Sequence, residues 1–177
     1  MKRFTLLLAL ATAAGVIAFA TPASRRADLN ATQEGAPIFV KTIPDGYRDW
    51  RLISVASEQG DLQDIRAVLG NDVAIKAYRD AKLPFPEGTI IARLAWGHDA
   101  SAENNKAFGR DQSFVAGAPK NGVQFMVKDS KKYAATGGWG YAHFDDGKPA
   151  DDAMLNKCFP CHQAVKDRDF VFTRYAP

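Results

Sequence analysis

Apolar and polar residues alternate with a period of two in several stretches, and this pattern predicts strands of a β-sheet. In the clearest stretch, the face that carries Trp96 is apolar, whereas Arg93 lies on the other face beside Ile91. Gly, Pro and Asp clusters separate the stretches, as expected for connections between antiparallel strands. The predicted strands cover residues 89–96, 123–128 and 139–144, with a weaker candidate at residues 50–56.

Two further segments have the signals of helices. Asn71 is a suitable N-cap for a short helix that must end before Pro84. Asp151 and Asp152 suit the first turn of a second helix, because carboxylates favour the positive helix N-terminus, and we predict that this helix continues through residues 155–165. The strands and helices together predict an α+β fold, with a small antiparallel β-sheet and flanking helices.

The N-terminus has the pattern of an export signal. Lys2 and Arg3 precede an uncharged apolar run that ends in an A-x-A site at residues 18–20, and a second cleavage point follows Ala23. The alternative is an uncleaved N-terminal anchor. We predict a signal peptide over residues 1–20 and therefore an exported, periplasmic protein.

Composition limits the remaining possibilities. The 177 residues allow one folded domain, which we assign to residues 46–177 after a small, polar, flexible leader at residues 21–45. Without residues 1–20, 21 Lys and Arg face 20 Asp and Glu, and their scattered positions argue against a nucleic-acid partner. After the signal, no apolar run is long enough to span a membrane.

Both cysteines belong to one C-x-x-C-H motif, Cys158 to His162. Thiols at this spacing can each add to a vinyl group of haem, and the adjacent histidine is then an axial ligand of the iron. Three other interpretations compete with haem c. A structural zinc site would need further ligands, a thioredoxin-like pair would need a βαβ unit, and a simple disulfide loop is compatible with export.

The position of the motif near the C-terminus bears on the second axial ligand. No Met follows His162, and Met154 precedes the motif on the same predicted helix. Met126 and His143 are the remaining candidates for a sixth ligand, each with a purely structural role as the alternative. We therefore expect a five-coordinate iron with an open distal face. An electron-transfer cytochrome with Met126 or His143 on the iron is the alternative.

Several stretches outside the motif carry a recognisable family pattern. They are residues 69–72 (LGND), 85–89 (FPEGT), 125–130 (FMVKDS), 137–140 (GGWG) and 168–172 (RDFVF). With these stretches and the motif, the chain from about Trp50 to its end resembles the cytochrome P-460 and cytochrome c′-beta family. The resemblance implies a cytochrome P-460-like haem domain with one covalent haem c on a C-terminal helix, held by Cys158, Cys161 and His162. It also implies an open distal site and a homodimer.

The family contains two kinds of protein, and the resemblance bears on both. Cytochrome P-460 proteins oxidise hydroxylamine with nitric oxide on a haem that is cross-linked to a lysine, whereas c′-beta proteins lack the cross-link and bind nitric oxide or carbon monoxide. The matching strand, residues 89–96, has Arg93 as its only basic residue. Arginine stays protonated and cannot supply the amine nucleophile, so we expect no cross-link.

The distal residues follow partly from this resemblance. Arg66 loosely matches a distal arginine of the family. Arg93 could pair with a haem propionate or with charge on a bound nitrogen ligand, and Phe85 and Phe125 are candidates for the apolar wall. We expect a periplasmic haem c protein that binds or converts nitric oxide or hydroxylamine. If it is an enzyme, it is a hydroxylamine and nitric oxide oxidoreductase, with a cytochrome as a candidate redox partner.

Overall fold

A six-stranded antiparallel sheet is the central element of the computed structural model, which describes residues 40–176. Each strand pairs with the next strand in sequence, so the order across the sheet is the order along the chain. The strands are β1 (Arg51–Glu58), β2 (Asp64–Gly70), β3 (Ile90–Ala100), β4 (Phe114–Lys128), β5 (Trp139–Asp145) and β6 (Lys148–Pro149). The predicted signal peptide and most of the predicted leader lie outside the described residues.

Short helices flank the sheet, which confirms the α+β prediction. They are α1 (Asp72–Arg79), α2 (Ala102–Phe108), α3 (Asp152–Leu155) and α4 (Cys158–His162). Asn71 caps α1 as predicted, because its side-chain oxygen accepts the backbone N–H of Ala74 at 3.0 Å. The same oxygen accepts the N–H of Ile90 at 3.1 Å, so the cap also fixes α1 to the start of β3. Between residues 40 and 176, no helix combines the length and apolar character needed to cross a membrane.

The predicted helix over residues 155–165 is divided in the structure. α3 ends at Leu155, α4 covers the motif, and a 3-10 turn follows at Gln163–Arg168. Pro160 explains the division, because it has no N–H to donate to the carbonyl four residues earlier and its ring crowds that carbonyl. The motif therefore occupies a helix of its own.

The sheet is larger than the pattern of alternation predicted. β2 was not predicted, β3 continues to Ala100, and β4 begins at Phe114 instead of near residue 123. The register between β3 and β4 shifts on both sides of Trp96, so these strands are irregular where they extend beyond the predicted stretches. An irregular register interrupts strict alternation, which explains the shorter prediction.

The two faces of the sheet bury different clusters. The face that packs against α1, α4 and the C-terminal segment is called the motif face, and the other is called the far face. Buried residues on the motif face include Val68, Ile91, Met126, Trp139 and Tyr141, with Cys158 and Phe159 packed against them. Buried residues on the far face are Ala92, Leu94, Phe125, Ala142 and Phe144.

Candidate haem-binding site

The two thiols of the motif lie on one short helix that is anchored to the sheet. Cys158 and Cys161 are three positions apart, so they project from the same side of α4. Neither forms a disulfide; Cys158 is half-buried and Cys161 is exposed. Burial raises the pKa of the Cys158 thiol, and the neighbouring Cys161 raises it further. Phe159 lies between them and packs against the motif face, with its ring centroid 5.5 Å from that of Phe170.

The imidazole of His162 is oriented by a backbone carbonyl. Its Nδ1 donates a hydrogen bond to the carbonyl oxygen of Phe170 at 2.6 Å. That bond places the proton of the neutral ring on Nδ1 and leaves the lone pair of Nε2 free for a metal. Burial lowers the pKa of His162, whereas the bond to Phe170 opposes this shift, so the ring is neutral at physiological pH.

Two aromatic rings lie close to this imidazole. The rings of Tyr141 and Phe172 each lie with their centroids 5.1 Å from that of His162. Within residues 40–176, Phe172 is 46% exposed although its ring is adjacent to the imidazole, so apolar surface is exposed beside the motif. Burial raises the pKa of Tyr141, and the nearby Cys158 and Asp169 add to the rise.

These residues fit haem c on three independent points. Two unlinked thiols have the C-x-x-C-H sequence spacing of haem c attachment, the Nδ1 bond of His162 leaves Nε2 available to a metal, and Phe172 offers exposed apolar surface that a macrocycle would cover. Cys158 and Cys161 would hold the haem, and His162 would be the proximal ligand.

A line of polar side chains crosses the motif face from β1 to β5. Asp64 is fully buried and accepts bonds from both Arg66 and Arg93, and Arg66 also pairs with Glu58. Arg93 donates to the side-chain oxygen of Gln124 at 3.2 Å. The line continues because the Gln124 amide nitrogen lies 3.2 Å from Nδ1 of His143. We call Asp64, Arg66, Arg93, Gln124 and His143 the polar row.

The chemistry of the donors fixes the tautomer of His143. A guanidinium can only donate, so the Gln124 oxygen must face Arg93 and the amide nitrogen must donate to Nδ1 of His143. A neutral His143 therefore carries its proton on Nε2. This nitrogen lies 3.2 Å from a carboxylate oxygen of Asp145, but the described residues offer it no well-aligned hydrogen-bond partner. His143 is only 2% exposed.

Burial also acts on the charge of Arg93. The pKa of Arg93 is lowered first by burial and next by the guanidinium of Arg66, whereas Asp64 opposes both effects. Arginine starts from a very high pKa, so the group stays protonated. The row therefore presents fixed positive charge and a histidine N–H on the same face of the sheet as the motif.

The structure separates the two predicted phenylalanines. Phe85 is buried on the motif face, with its ring between those of Tyr78 and Trp139. Phe125 is buried on the far face, where it contacts Tyr47 and Phe144. Neighbouring residues of a strand point to opposite faces, so Met126 points to the motif face and Phe125 points away from it. This placement argues against Phe125 as a wall of the haem pocket.

The two candidates for a sixth ligand both lie on the motif face. Met126 is buried in the apolar cluster there, and His143 is at the end of the polar row. Met154 is on α3, four residues before Cys158, and is 39% exposed. The prediction that neither Met126 nor His143 binds the iron remains a prediction.

Sequence analysis did not single out four residues that have defined roles around the motif. Asp64 and Gln124 connect the arginines and His143 of the polar row, and Lys128 forms a buried ion pair with Asp169. The only available signal was in two family stretches, which contain Lys128 and Asp169 but do not indicate that they pair. Tertiary structure was needed to bring them together.

The family comparison agrees with this geometry. The family model for cytochrome P460 matches residues 44–173, which is most of the chain. No curated protein matches the chain. The fold class and the site are thus those of a haem protein built on an antiparallel sheet. The chain belongs to the cytochrome P460 family, and membership implies haem binding and action on nitrogen compounds.

Proposed function

We propose that this protein is an exported haem c protein whose iron has an open distal position and binds or converts small nitrogen ligands, nitric oxide first among them. The observation that carries the proposal is the geometry of His162. Its Nδ1 is committed to the Phe170 carbonyl, its Nε2 is free, and two unlinked thiols lie on the same short helix. This is the arrangement that a covalently attached haem with one histidine ligand requires.

The polar row supports the part of the proposal that concerns the ligand. When bound, haem supplies an iron centre that coordinates and exchanges electrons with small molecules. Arg93 is held rigidly by Asp64 and Gln124, and its positive charge would favour a ligand that gains negative charge.

Titration of the ferrous protein with nitric oxide tests the open site. We expect a high-spin ferrous spectrum before addition and stoichiometric uptake of nitric oxide. Met126→Leu and His143→Gln should leave the resting spectrum high-spin. A low-spin resting spectrum that either substitution converts to a high-spin one would identify the sixth ligand, and the protein would then be an electron-transfer cytochrome.

The alternative activity, hydroxylamine oxidation, requires a lysine bonded to the haem. The resemblance places the cross-linking lysine on strand β3, but this strand contains no lysine and its only Lys or Arg residue is Arg93. On strands β1 to β5 the lysines are Lys120 and Lys128. The amine of Lys120 donates to the carbonyl of Leu62, and that of Lys128 bonds Asp169. Both amines are therefore engaged within the protein.

Mass spectrometry distinguishes ligand binding from the cross-linked enzyme. We expect the intact mass to equal the processed chain plus one haem, without the additional loss of hydrogen that a lysine bond brings. Peptide maps should recover Lys120 and Lys128 unmodified. A haem-bearing peptide that contains either lysine would contradict this expectation and would favour the hydroxylamine enzyme.

Two further properties belong to the proposal. We propose that the mature protein is periplasmic, on the basis of the signal pattern in residues 1–20. We also propose that it is a homodimer, because the family resemblance implies one, and that its candidate redox partner is a cytochrome. N-terminal sequencing of the purified protein and light scattering test the cleavage and the dimer.

A further inference from the structure

The segment that follows the motif has an unusual backbone. Asp169 and Phe170 both have positive φ angles, 52° and 63°, although neither is glycine. Asparagine and aspartate tolerate this region better than other residues, whereas a bulky aromatic residue rarely adopts it. Two consecutive residues of this kind persist only where the surroundings hold them in place. The carbonyl of this Phe170 is the one that accepts the N–H of His162.

A buried ion pair provides the constraint. Both carboxylate oxygens of Asp169 accept from the amine of Lys128, at 2.8 and 2.9 Å, and one of them also accepts the backbone N–H of Phe85 at 2.8 Å. The side chains of Lys128 and Asp169 are 5% and 8% exposed. Lys128 lies at the end of β4, so the pair connects the segment that follows the motif, which we call the tail, directly to the sheet.

The environment of Lys128 leaves the amine little freedom. It donates to the carbonyl of Gly137 at 3.1 Å and lies 5.0 Å from the centre of the Trp139 ring. Gly137 has a φ of 67°, and a Cβ at that position would collide with the ring of Phe170. The loop before β5 is therefore in close contact with the ring of Phe170. The ion pair of the preceding residue, Asp169, restricts Phe170 further.

We propose that Lys128 and Asp169 are positioning residues for His162, an inference that rests on the proposed haem attachment at that histidine. The ion pair fixes the backbone at Asp169, and this fixes the direction of the Phe170 carbonyl. A well-directed carbonyl strengthens the Nδ1–H hydrogen bond, which makes the imidazole a more electron-rich ligand. The pair thus tunes the iron from a distance, without contact with the imidazole.

Four variants test this role in the haem-loaded protein. Asp169→Asn keeps an amide oxygen that can accept the N–H of Phe85, but it leaves the buried Lys128 ammonium without its carboxylate. Lys128→Met removes the other charge and leaves a buried carboxylate without its partner, a change that can prevent folding. The combination Lys128→Met with Asp169→Asn removes both charges and avoids that cost. Lys128→Arg keeps the charge in a larger side chain, so it separates the loss of charge from a change of shape.

The control must lower stability without touching the tail. Phe125→Ala leaves a cavity on the far face, where the Phe125 ring packs against Tyr47 and Phe144 and away from the face that carries Lys128 and the motif. Covalent haem is confirmed first on denaturing gels for each variant. If the unmodified protein carries no covalent haem, the proposed function fails, and this outcome is separate from the failure of the present inference.

Two spectroscopic readouts report on the histidine. Resonance Raman of the ferrous protein gives the iron–histidine stretching band, and spectroelectrochemistry gives the reduction potential whether the iron is five- or six-coordinate. We expect Asp169→Asn and the double variant to shift the band to lower wavenumber and the potential upward, because the imidazole donates less. Phe125→Ala should match the unmodified protein, and Lys128→Arg should shift the band less than Asp169→Asn does. A haem-loaded double variant with an unchanged band and potential, or an equal shift in Phe125→Ala, would overturn the proposal.

Discussion

The two faces of the sheet are built from the same strands but bury different chemistry. The far-face cluster consists of apolar side chains such as Leu94, Phe125 and Phe144. The motif face buries Asp64, Lys128 and His143 as well as its apolar cluster. Burying a charge is costly unless it is paired. The restriction of buried charges to one of the two faces therefore requires an explanation.

The position of these charges supplies the reason. Lys128 lies next to the tail that carries the partner of His162, and the polar row lies on the same face as the motif. Charged and polar groups therefore lie where the orientation of a functional group, such as the carbonyl that bonds His162, has to be fixed. Among the described residues, the buried far-face cluster is apolar, and packing alone is sufficient to explain it.

The largest expected difference between the faces concerns the cofactor. Replacing Cys158 and Cys161 together with Ala removes both thioether attachments, so acid-acetone extraction should release all of the haem. The unmodified protein should retain its haem, and so should Phe125→Leu on the far face. The measurement is the absorbance of the haem in the solvent and protein fractions. Extraction of the haem from the unmodified protein would contradict covalent attachment.

The next contrast is between a buried charge and a buried ring. Asp64→Asn leaves Arg66 and Arg93 without their shared carboxylate, and we expect a loss of about 3 kcal/mol in the free energy of unfolding. Phe125→Ala on the far face should cost about the same through the cavity it leaves. Guanidinium unfolding of the two holoproteins gives both values.

The same two variants should differ in ligand binding. Asp64→Asn raises the positive potential of the polar row, so the affinity of the ferric protein for azide, an anionic probe, should rise. Phe125→Ala should leave azide affinity unchanged, because its side chain lies on the face away from the motif. Equal azide affinities in the two variants would show that the polar row does not face the ligand.

These faces also mark what the sequence could predict. Alternation correctly predicted that Arg93 lies with Ile91 and opposite Trp96, and Asn71 correctly predicted the start of α1. The C-x-x-C-H spacing alone led to the prediction of haem attachment at Cys158 and Cys161, which stays a prediction. These features are local, because each depends on the periodicity or geometry of a few neighbouring residues.

The parts that were not predicted depend on distant partners. In β2, the polar residues Asp64 and Arg66 occupy positions that point to the motif face. The sequence of β2 therefore lacks the apolar and polar alternation that predicts a strand. Alternation also cannot tell which face meets a helix much later in the chain, and Phe125 was therefore assigned to the haem pocket. The pairing of Lys128 with Asp169 joins residues 41 positions apart.

A smaller effect is expected within the polar row. Gln124→Leu removes the donor to Nδ1 of the buried His143 and one acceptor of Arg93, and we expect a cost of about 2 kcal/mol in the free energy of unfolding. It should also weaken the preference for the Nε2–H tautomer. Nitrogen-15 correlation spectra of the diamagnetic carbon monoxide adduct of the ferrous protein report the tautomer. A His143 protonated on Nδ1 in the unmodified protein would contradict the assignment.

The smallest effect is expected for an ionised group that is buried on neither face. Glu87 is exposed in the loop before β3, and its carboxylate accepts the backbone N–H of Ser130 at 2.9 Å. The side chain and backbone of Ser130 lower the pKa of Glu87. Because the folded pKa is below the unfolded value of about 4.3, the stabilisation is complete above that pH and is lost as the pH falls through the folded pKa.

Glu87→Gln tests this small contribution to the free energy of unfolding. It gives the smallest effect with which the variants on the two faces are compared. Unfolding curves over a range of pH should show a slightly less stable variant at about pH 6 and a difference that disappears as the pH falls through the folded pKa of Glu87. The difference at the higher pH should be smaller than that for Asp64→Asn, because water screens an exposed carboxylate. A difference as large as that for Asp64→Asn would mean that pairing, and not burial, sets the energetic importance of charges in this protein.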